Sequence, residues 1–254
     1  MTGPIVLLTD FGFHDPFVGI MKGVMLSIAP KAQIVDLCHA VPPQDVRTGA
    51  FHLRVSVPYF PKGSLFVVVV DPGVGSARKI LWARTAKHQF LGPDNGVLSW
   101  IGEPVLEMRE VSNAKLFLEK VSHTFHGRDI FAPVAGHLAK GKAPAFLGPK
   151  CKPAWEIEFP QVKKAGGAVS GEILNFDRFG NAVTNIPREE VGKDADIVFG
   201  ASDLGKICTT YAGKDSGEVM AIIGSSGYVE LAVRDGNFKD HFKASAGDKV
   251  ESRS

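Results

Sequence analysis

The chain has 254 residues, of which 44% are apolar and 22% charged, with a net charge of +2. That length holds one large domain or two ordinary ones, and the balance is that of a soluble globular protein. The small charge gives no electrostatic case for nucleic acid or an anionic membrane, and no apolar run approaches bilayer length. Three scattered cysteines, Cys38, Cys151 and Cys208, lack metal spacing, and so sparse and odd a count fits a reducing cytoplasm. The N-terminus runs directly into Ile5–Leu8 without the basic segment and cleavage site of a leader, so a cytoplasmic protein is expected.

Pro4–Thr9 reads as a short apolar strand ending in Thr9-Asp10-Phe11-Gly12. Asp15-Pro16 then opens a helix, with Asp15 as the N-cap candidate and Pro16 in the first turn, and Phe17, Met21, Val24, Met25 and Ile28 recur at helical spacing. Gln33–Leu37 is a second strand, Asp45 to about Val57 a second helix, and Leu65–Val70 a third strand. The run of β-branched residues from Val67 to Val70 is that of a strand buried on both faces. This β-α-β-α-β order predicts a mostly parallel sheet with right-handed crossovers. Further strands are expected at Ile80–Thr85, Gln89–Leu91 and Val105–Val111, with a short helix over Gly96–Ile101. In Thr124–Lys140, Phe131, Val134, Ala135 and Leu138 mark the buried face of a helix, with Pro133 in its first turns.

Composition then changes. Gly141–Pro153 carries prolines, glycines and lysines with little periodicity, as a linker would. Beyond Trp155 come short strands at Gly171–Phe176, Asn181–Thr184, Asp196–Phe199, Lys206–Tyr211, Val219–Ile223 and Tyr228–Val233, a spacing that predicts a small antiparallel barrel or sandwich. The expected division is an α/β domain over residues 1–146, a linker over 147–164 and a β-barrel over 165–254, with a frayed tail from Glu251 to Ser254.

Three polar clusters fall at predicted strand ends: Asp10 with Asp15, Asp71 with Arg78, and Asp94 with Asn95. A parallel sheet would gather them along the carboxyl edge, where open α/β sheets bind ligands. Turn chemistry or helix capping explains any one of these aspartates alone, Asp15 most fully. His126 opens a helix, where backbone amides and the positive dipole end favour a neutral ring or an anionic partner, while Arg128-Asp129 reads as a local ion pair. His14, His39 and His123 lack the spacing of a metal site, so no metal is expected. Dinucleotide and phosphate-loop fingerprints and a G-x-S-x-G elbow are missing from the sequence. Read from the residues alone, this is a two-domain α/β enzyme whose reaction stays open.

Seven ordered motifs add a resemblance. Thr9–Gly12 (TDFG), Asp15–Gly19 (DPFVG), Val70–Ser76 (VDPGVGS), Gly92–Gly96 (GPDNG), Thr124–Ala135 (TFHGRDIFAPVA), Asp177–Ile186 (DRFGNAVTNI) and Ser225–Ala232 (SSGYVELA) together resemble the S-adenosylmethionine hydroxide adenosyltransferase family, which is related to the fluorinase and chlorinase. The resemblance implies an α/β domain followed by a β-barrel, and hydrolysis of S-adenosylmethionine to adenosine and L-methionine by attack of water on ribose C5′. It implies no metal or organic cofactor. It also implies a homotrimer whose sites lie between the N-terminal domain of one subunit and the barrel of its neighbour.

The family's catalytic Asp–Arg–His set maps onto Asp71, Arg78 and His126: Asp71 orients the water or a ribose hydroxyl, Arg78 stabilises hydroxide character, and His126 accepts a proton or orients, with a base shared among the three equally compatible. Among substrate contacts, Asp10 matches the carboxylate on the ribose hydroxyls, and Phe179 and Asn181 match the adenine site. Ser225, Tyr228 and Glu230 lie near the adenine and methionine ends, Glu230 being suited to an ammonium group and Asp15 to the methionine amine. The halogenase relatives carry tyrosine where this chain has Asp71, which together with Arg78 and His126 favours water over halide; Gln44, where they carry a stacking tryptophan, is a further departure. A halide adenosyltransferase and a non-catalytic adenosine or S-adenosylmethionine sensor are the alternatives. A repair role, removing the unnatural sulfonium epimer, would reconcile hydrolysis with the cost of the metabolite.

Overall fold

A computed structural model describes residues 3–253. The chain divides into two compact units, Met1–Glu158 and Phe159–Ser254.

In the first unit the elements are β1 (Ile5–Thr9), α1 (Phe17–Ile28), β2 (Ile34–Cys38), α2 (Val46–Ser56), β3 (Leu65–Val69), β4 (Ile80–Arg84), β5 (Gln89–Pro93), β6 (Glu107–Glu110) and α3 (Ala132–Ala139). They build one sheet in the order β2-β1-β3-β5-β4-β6. β1 runs parallel to β2 and β3, and β3 parallel to β5, while β4 is antiparallel to both of its neighbours. The side-chain period of two sorts the central strands onto opposite faces. Ile5, Leu7, Val67 and Val69 pack with Met21 and Met25 of α1 and Val134 and Leu138 of α3, whereas Val6, Leu8, Phe66 and Val68 pack on the other side with Leu53 of α2. Gly136 lets α1 and α3 approach closely, since a Cβ there would lie 3.0 Å from Ile28 Cβ.

Local chemistry sets the boundaries. Asp45 caps α2, its Oδ1 accepting the Thr48 N–H at 2.9 Å. Asp15, expected to cap α1, does not: Pro16 occupies the cap position with its carbonyl accepting the Ile20 N–H, so Asp15 sits one residue too early and is exposed. Gly96–Ile101 is a turn rather than a helix. Gly96 takes φ +92°, and a single turn closes through Ser99 N–H to the Gly96 carbonyl. The expected face of α3 is buried as Phe131, Val134, Ala135 and Leu138, but the helix is entered through a π-helical turn, Gly127–Phe131. Pro133 has no N–H to offer the preceding turn, and the freed Asp129 carbonyl accepts the Leu118 N–H at 2.9 Å.

The second unit contains β7 (Lys163–Ala165), β8 (Ala168–Phe176), β9 (Ala182–Pro187), β10 (Asp196–Phe199), β11 (Ser202–Cys208), β12 (Val219–Ile223), β13 (Tyr228–Val233), α4 (Phe238–Phe242) and β14 (Lys249–Arg253). Seven strands close a barrel in the order β14-β10-β11-β12-β13-β9-β8 and back to β14, with β7 as a hairpin flap on β8. One pair, β11 with β12, is parallel. Ile173, Ile186, Ile197, Leu231 and Val250 fill the interior, with the Phe238 ring of α4 among them. Of the tail expected to fray, Glu251–Arg253 belong instead to the closing strand, paired to both β8 and β10, and Ser254 lies outside the described residues. Closure leaves no edge at this seam, which explains why so polar a segment is held.

Candidate active site

Because β1 and β3 are parallel neighbours in register, with Thr9 opposite Val69, the residues that follow them leave the sheet at the same edge. Asp10 and Asp71 therefore line one cleft of about 350 Å³, together with Gln44, Phe125 and His126. The chain doubles back after Asp71 through two linked turns, Val74 N–H to the Asp71 carbonyl and Ser76 N–H to the Gly73 carbonyl, and this returns Arg78 to the strand end. Gly75 is required there. It takes φ +78°, and a Cβ would run into the His123 carbonyl of the facing loop.

Arg78 grips Asp71 with both edges of its fork. Nε donates to Oδ1 at 2.6 Å and an Nη2–H donates to Oδ2, with the two side chains only 8% and 4% exposed. The same Nη2 lies 3.1 Å from His126 Nδ1. A guanidinium only donates, so His126 Nδ1 is the acceptor and the proton of the neutral ring sits on Nε2. Burial first, and then the Arg78 charge, push His126 below the ordinary histidine range, outweighing the pull of Asp71 and Asp129. At neutral pH the site thus holds one carboxylate, one guanidinium and one neutral imidazole, with the Ser122 backbone as a further hydrogen-bond partner of the ring.

The loop that carries His126 is anchored from below by Asp129. Its side chain is fully buried and accepts from Ser122 N–H and Oγ, at 2.8 and 2.7 Å, and from Arg128 Nε at 2.6 Å. Arg128 and Ser122 together outweigh burial, which alone would raise it, and hold the Asp129 carboxyl below its usual range. The adjacent pair Arg128-Asp129 is therefore part of the site's support. Asp129 was not among the expected site residues; its signal is Ser122, seven positions earlier across a tight loop.

Other expected residues lie elsewhere. Asp94 does not reach the cleft: its carboxylate accepts the Ala154 N–H at 3.0 Å and the Trp155 N–H at 3.3 Å, fastening the segment after the sheet. Asn95 is tied to the end of β3, Nδ2 donating to the Val70 carbonyl. Asp15 does not line the cleft either. Among the described residues no group of three His, Cys, Asp or Glu side chains is placed to hold a metal ion, and no helix is long and apolar enough to cross a membrane.

In the barrel, Asp177 organises the turn before β9. Its Oδ1 accepts the Phe179 and Asn181 N–H groups, and its Oδ2 accepts Asn181 Nδ2 at 3.0 Å. Asn181 is buried, while the Phe179 ring is 73% exposed. Glu230, opposite Val183 in the β13–β9 pairing, lies near the same end of β9 and is 7% exposed. It accepts a hydrogen bond from the Tyr211 hydroxyl. Burial, then Asp177, push its carboxyl above the usual range despite that bond, and Tyr211 is pushed up as well. Tyr228 pairs with Pro187 at the far end of β9, and Ser225 is exposed in the β12–β13 turn. Asp177 and Tyr211 are the two polar residues of this cluster that sequence reasoning passed over. Tyr211 lies 19 positions from Glu230 on a different segment, so nothing local points to it.

The chain and its fold have known relatives. A family model described as the SAM (S-adenosylmethionine) hydroxide adenosyltransferase N-terminal domain matches residues 5–148, and the corresponding C-terminal domain matches residues 171–251. The chain belongs to the SAM hydroxide adenosyltransferase family. An (R)-S-adenosyl-L-methionine hydrolase of Thermus thermophilus is 39% identical over 246 residues, covering 93% of this chain and 94% of that protein. A fluorinase of an Actinoplanes species is more distant, 30% identical over 270 residues and covering 90% of each. An uncharacterized conserved protein from Thermotoga maritima, 34% identical, has a solved structure that matches with a TM-score of 0.91, over 98% of this chain and 100% of that one. The two family segments contain Asp10, Asp71, Arg78 and His126 of the cleft and Asp177, Asn181, Tyr211 and Glu230 of the barrel.

Proposed function

We propose that the protein is a hydrolase that cleaves S-adenosyl-L-methionine to adenosine and L-methionine. Family membership and the nearer likeness to a hydrolase than to a fluorinase support this reading. The observation that carries it at the level of chemistry is the Arg78 fork on Asp71, with His126 Nδ1 on the same nitrogen.

The sulfonium leaves as a neutral thioether, so the leaving group needs neither an acid nor a metal, and no cofactor enters the reaction. Water is the poor partner and must be held in line and partly deprotonated. Each Asp71 oxygen accepts one Arg78 hydrogen bond and keeps a second lone pair. One such lone pair orients the water and receives its proton as the O–C5′ bond forms, while the C5′–S electron pair departs with methionine. His126 Nε2–H donates to the water oxygen and leaves its other lone pair for attack. In this assignment His126 orients and Asp71 is the base. The paired charges and the neutral ring offer no net positive charge to a halide.

For the substrate, Asp10 takes the ribose hydroxyls, Phe179 stacks on adenine and Asn181 pairs with its edge. Glu230 receives the ammonium group, and Ser225 and Tyr228 serve the adenine and methionine ends. The exposure of Phe179 and the raised carboxyl of Glu230 support those two roles. The sulfonium is taken to be the (R) epimer, the form in the name of the Thermus thermophilus relative. We also place the protein in the cytoplasm, a reading favoured by three free thiols, and as a homotrimer whose sites combine neighbouring subunits. Mixing Asp71→Asn and Phe179→Ala chains tests whether neighbouring subunits share a site: random assembly with shared sites returns about a quarter of full turnover, and sites within one chain return only the residual turnover of the two variants. The mass of the assembly in solution tests the trimer.

Chromatography of S-adenosylmethionine incubated with the protein, with and without chloride, tests the reaction. Adenosine and methionine in both buffers are expected. 5′-Chloroadenosine would assign a halide adenosyltransferase, and bound but unchanged substrate a sensor.

A further inference from the structure

Behind Asp10 runs a line of polar contacts that the reaction described above does not use. Asp36 of β2 accepts Lys22 Nζ on Oδ2 at 2.5 Å and faces His39 Nε2 with Oδ1 at 3.0 Å. His39 is 1% exposed, and its Nδ1 lies 2.8 Å from Oγ1 of Thr9, itself wholly buried and the last residue of β1. Thr9 Oγ1 accepts the Phe11 N–H at 3.2 Å, and the His39 carbonyl accepts the Gly12 N–H at 2.7 Å. The residues on both sides of Asp10 are therefore fastened to one histidine. The carboxylate itself is fastened from the same side, since the Gln44 N–H donates to Asp10 Oδ2 at 2.8 Å, with Gln44 held at φ 67°.

The donors and acceptors match in one direction. Burial alone would raise the Asp36 carboxyl, but Lys22 and His39 outweigh it and hold it below the usual range. Facing a carboxylate, His39 Nε2 carries the ring proton, which leaves Nδ1 to accept the Thr9 hydroxyl proton. The Thr9 oxygen then has its lone pairs for Phe11 N–H. Buried polar groups without partners are costly, so this chain fixes the turn after β1 as well as the ring.

We propose that His39, held by Asp36 and acting through Thr9, is a positioning residue that aims the Asp10 carboxylate at the two ribose hydroxyls of the substrate. The inference rests on the reading of Asp10 as the ribose contact and adds the device that sets its geometry. A merely structural histidine would weaken all ligands alike when removed. A positioning one changes how well the site tells a ribose from a sugar without hydroxyls.

Calorimetric titration with adenosine and with 2′,3′-dideoxyadenosine separates these cases. Two hydrogen bonds to a charged acceptor give the parent protein a preference for adenosine on the order of 100-fold. Asp10→Ala brings that ratio close to one. His39→Ala and the near-isosteric Thr9→Val, with folding checked by circular dichroism, are expected to cut it about tenfold or more. Parent-like ratios in both variants, alongside a collapsed ratio in Asp10→Ala, overturn the positioning role. If the parent shows no preference, or Asp10→Ala keeps it, the reading of Asp10 fails instead.

Discussion

Among the buried carboxylates, Asp71 and Glu230 are handled in opposite ways. Asp71, in the first unit, is gripped by a guanidinium on both oxygens. Glu230, in the barrel, meets a second acid, Asp177, and a phenol, and its carboxyl is raised. A buried charge is tolerable when paired; otherwise the group tends to hold a proton or wait for a cation. The Asp71 cluster is complete in itself and suited to fixed chemistry. The Glu230 cluster is short of positive charge and suited to a ligand that brings it.

Breaking the first cluster is expected to have the largest effect. Asp71→Asn keeps the shape but removes both the proton acceptor and the counter-charge of Arg78, so kcat for adenosine release falls about 10³-fold. Arg78→Lys loses the fork, and a point charge cannot serve both Asp71 oxygens and His126, so a loss of about 10² is expected. An Asp71→Asn enzyme with a tenth of parent turnover would remove Asp71 as the base.

The cation also predicts a pH profile. His126 is held below its ordinary value by burial and by Arg78, and the neutral ring is the form that the proposed mechanism uses. Activity should be flat through neutral pH and fall about tenfold per unit only once the pH drops below the ordinary histidine range. The unfolded chain binds the His126 proton more readily than the folded one, so this group's contribution to stability is present above the ordinary value and lost as pH falls through the lowered one. Replacing Arg78 with methionine removes one of the two depressing causes. The acid limb, measured on whatever turnover remains, must then move up; a limb that stays would show that another group sets it.

The two clusters differed in legibility for the same physical reason. Asp71 and Arg78 lie seven residues apart after a strand whose β-branched run is unmistakable, and parallel neighbours deliver Asp10 to the same edge. The sheet and its edge follow from local patterning. Asp94 shows the limit: it has the same address in the sequence, but its carboxylate serves the Ala154 and Trp155 amides, contacts made 60 residues away. The barrel hides more. Glu230 meets Tyr211 only because β11, β12 and β13 lie side by side, and β14 was unreadable because a polar strand is held by its pairing on two sides and not by its own pattern. The π turn at Gly127–Phe131 likewise depends on what the Asp129 carbonyl finds across space.

The second cluster can be sharpened by Glu230→Gln. If the carboxylate waits for the substrate's ammonium, the amide raises KM about tenfold and leaves kcat unchanged, since only uniform binding is lost. A fall in kcat with KM unaltered would place Glu230 in the chemistry instead.

The smallest effect belongs to Tyr211→Phe, and its sign with pH is the informative part. The lost hydroxyl removes one hydrogen bond to a charged group, worth about 1–3 kcal/mol. That bond is also what tempers the upward push on Glu230, so the variant's Glu230 carboxyl rises further. Between the ordinary glutamate value and the raised one, the folded protein holds a proton that the unfolded chain has released, and stability therefore declines as pH increases across that interval. Removing the phenol stretches the interval upward. Thermal unfolding followed from pH 5 to pH 8 should thus show the two proteins closest at the acid end and the variant falling away toward the alkaline end. A constant gap would mean that the hydroxyl merely packs against Glu230, and the contrast with Asp71, whose charge is met by a fixed cation, would lose its electrostatic basis.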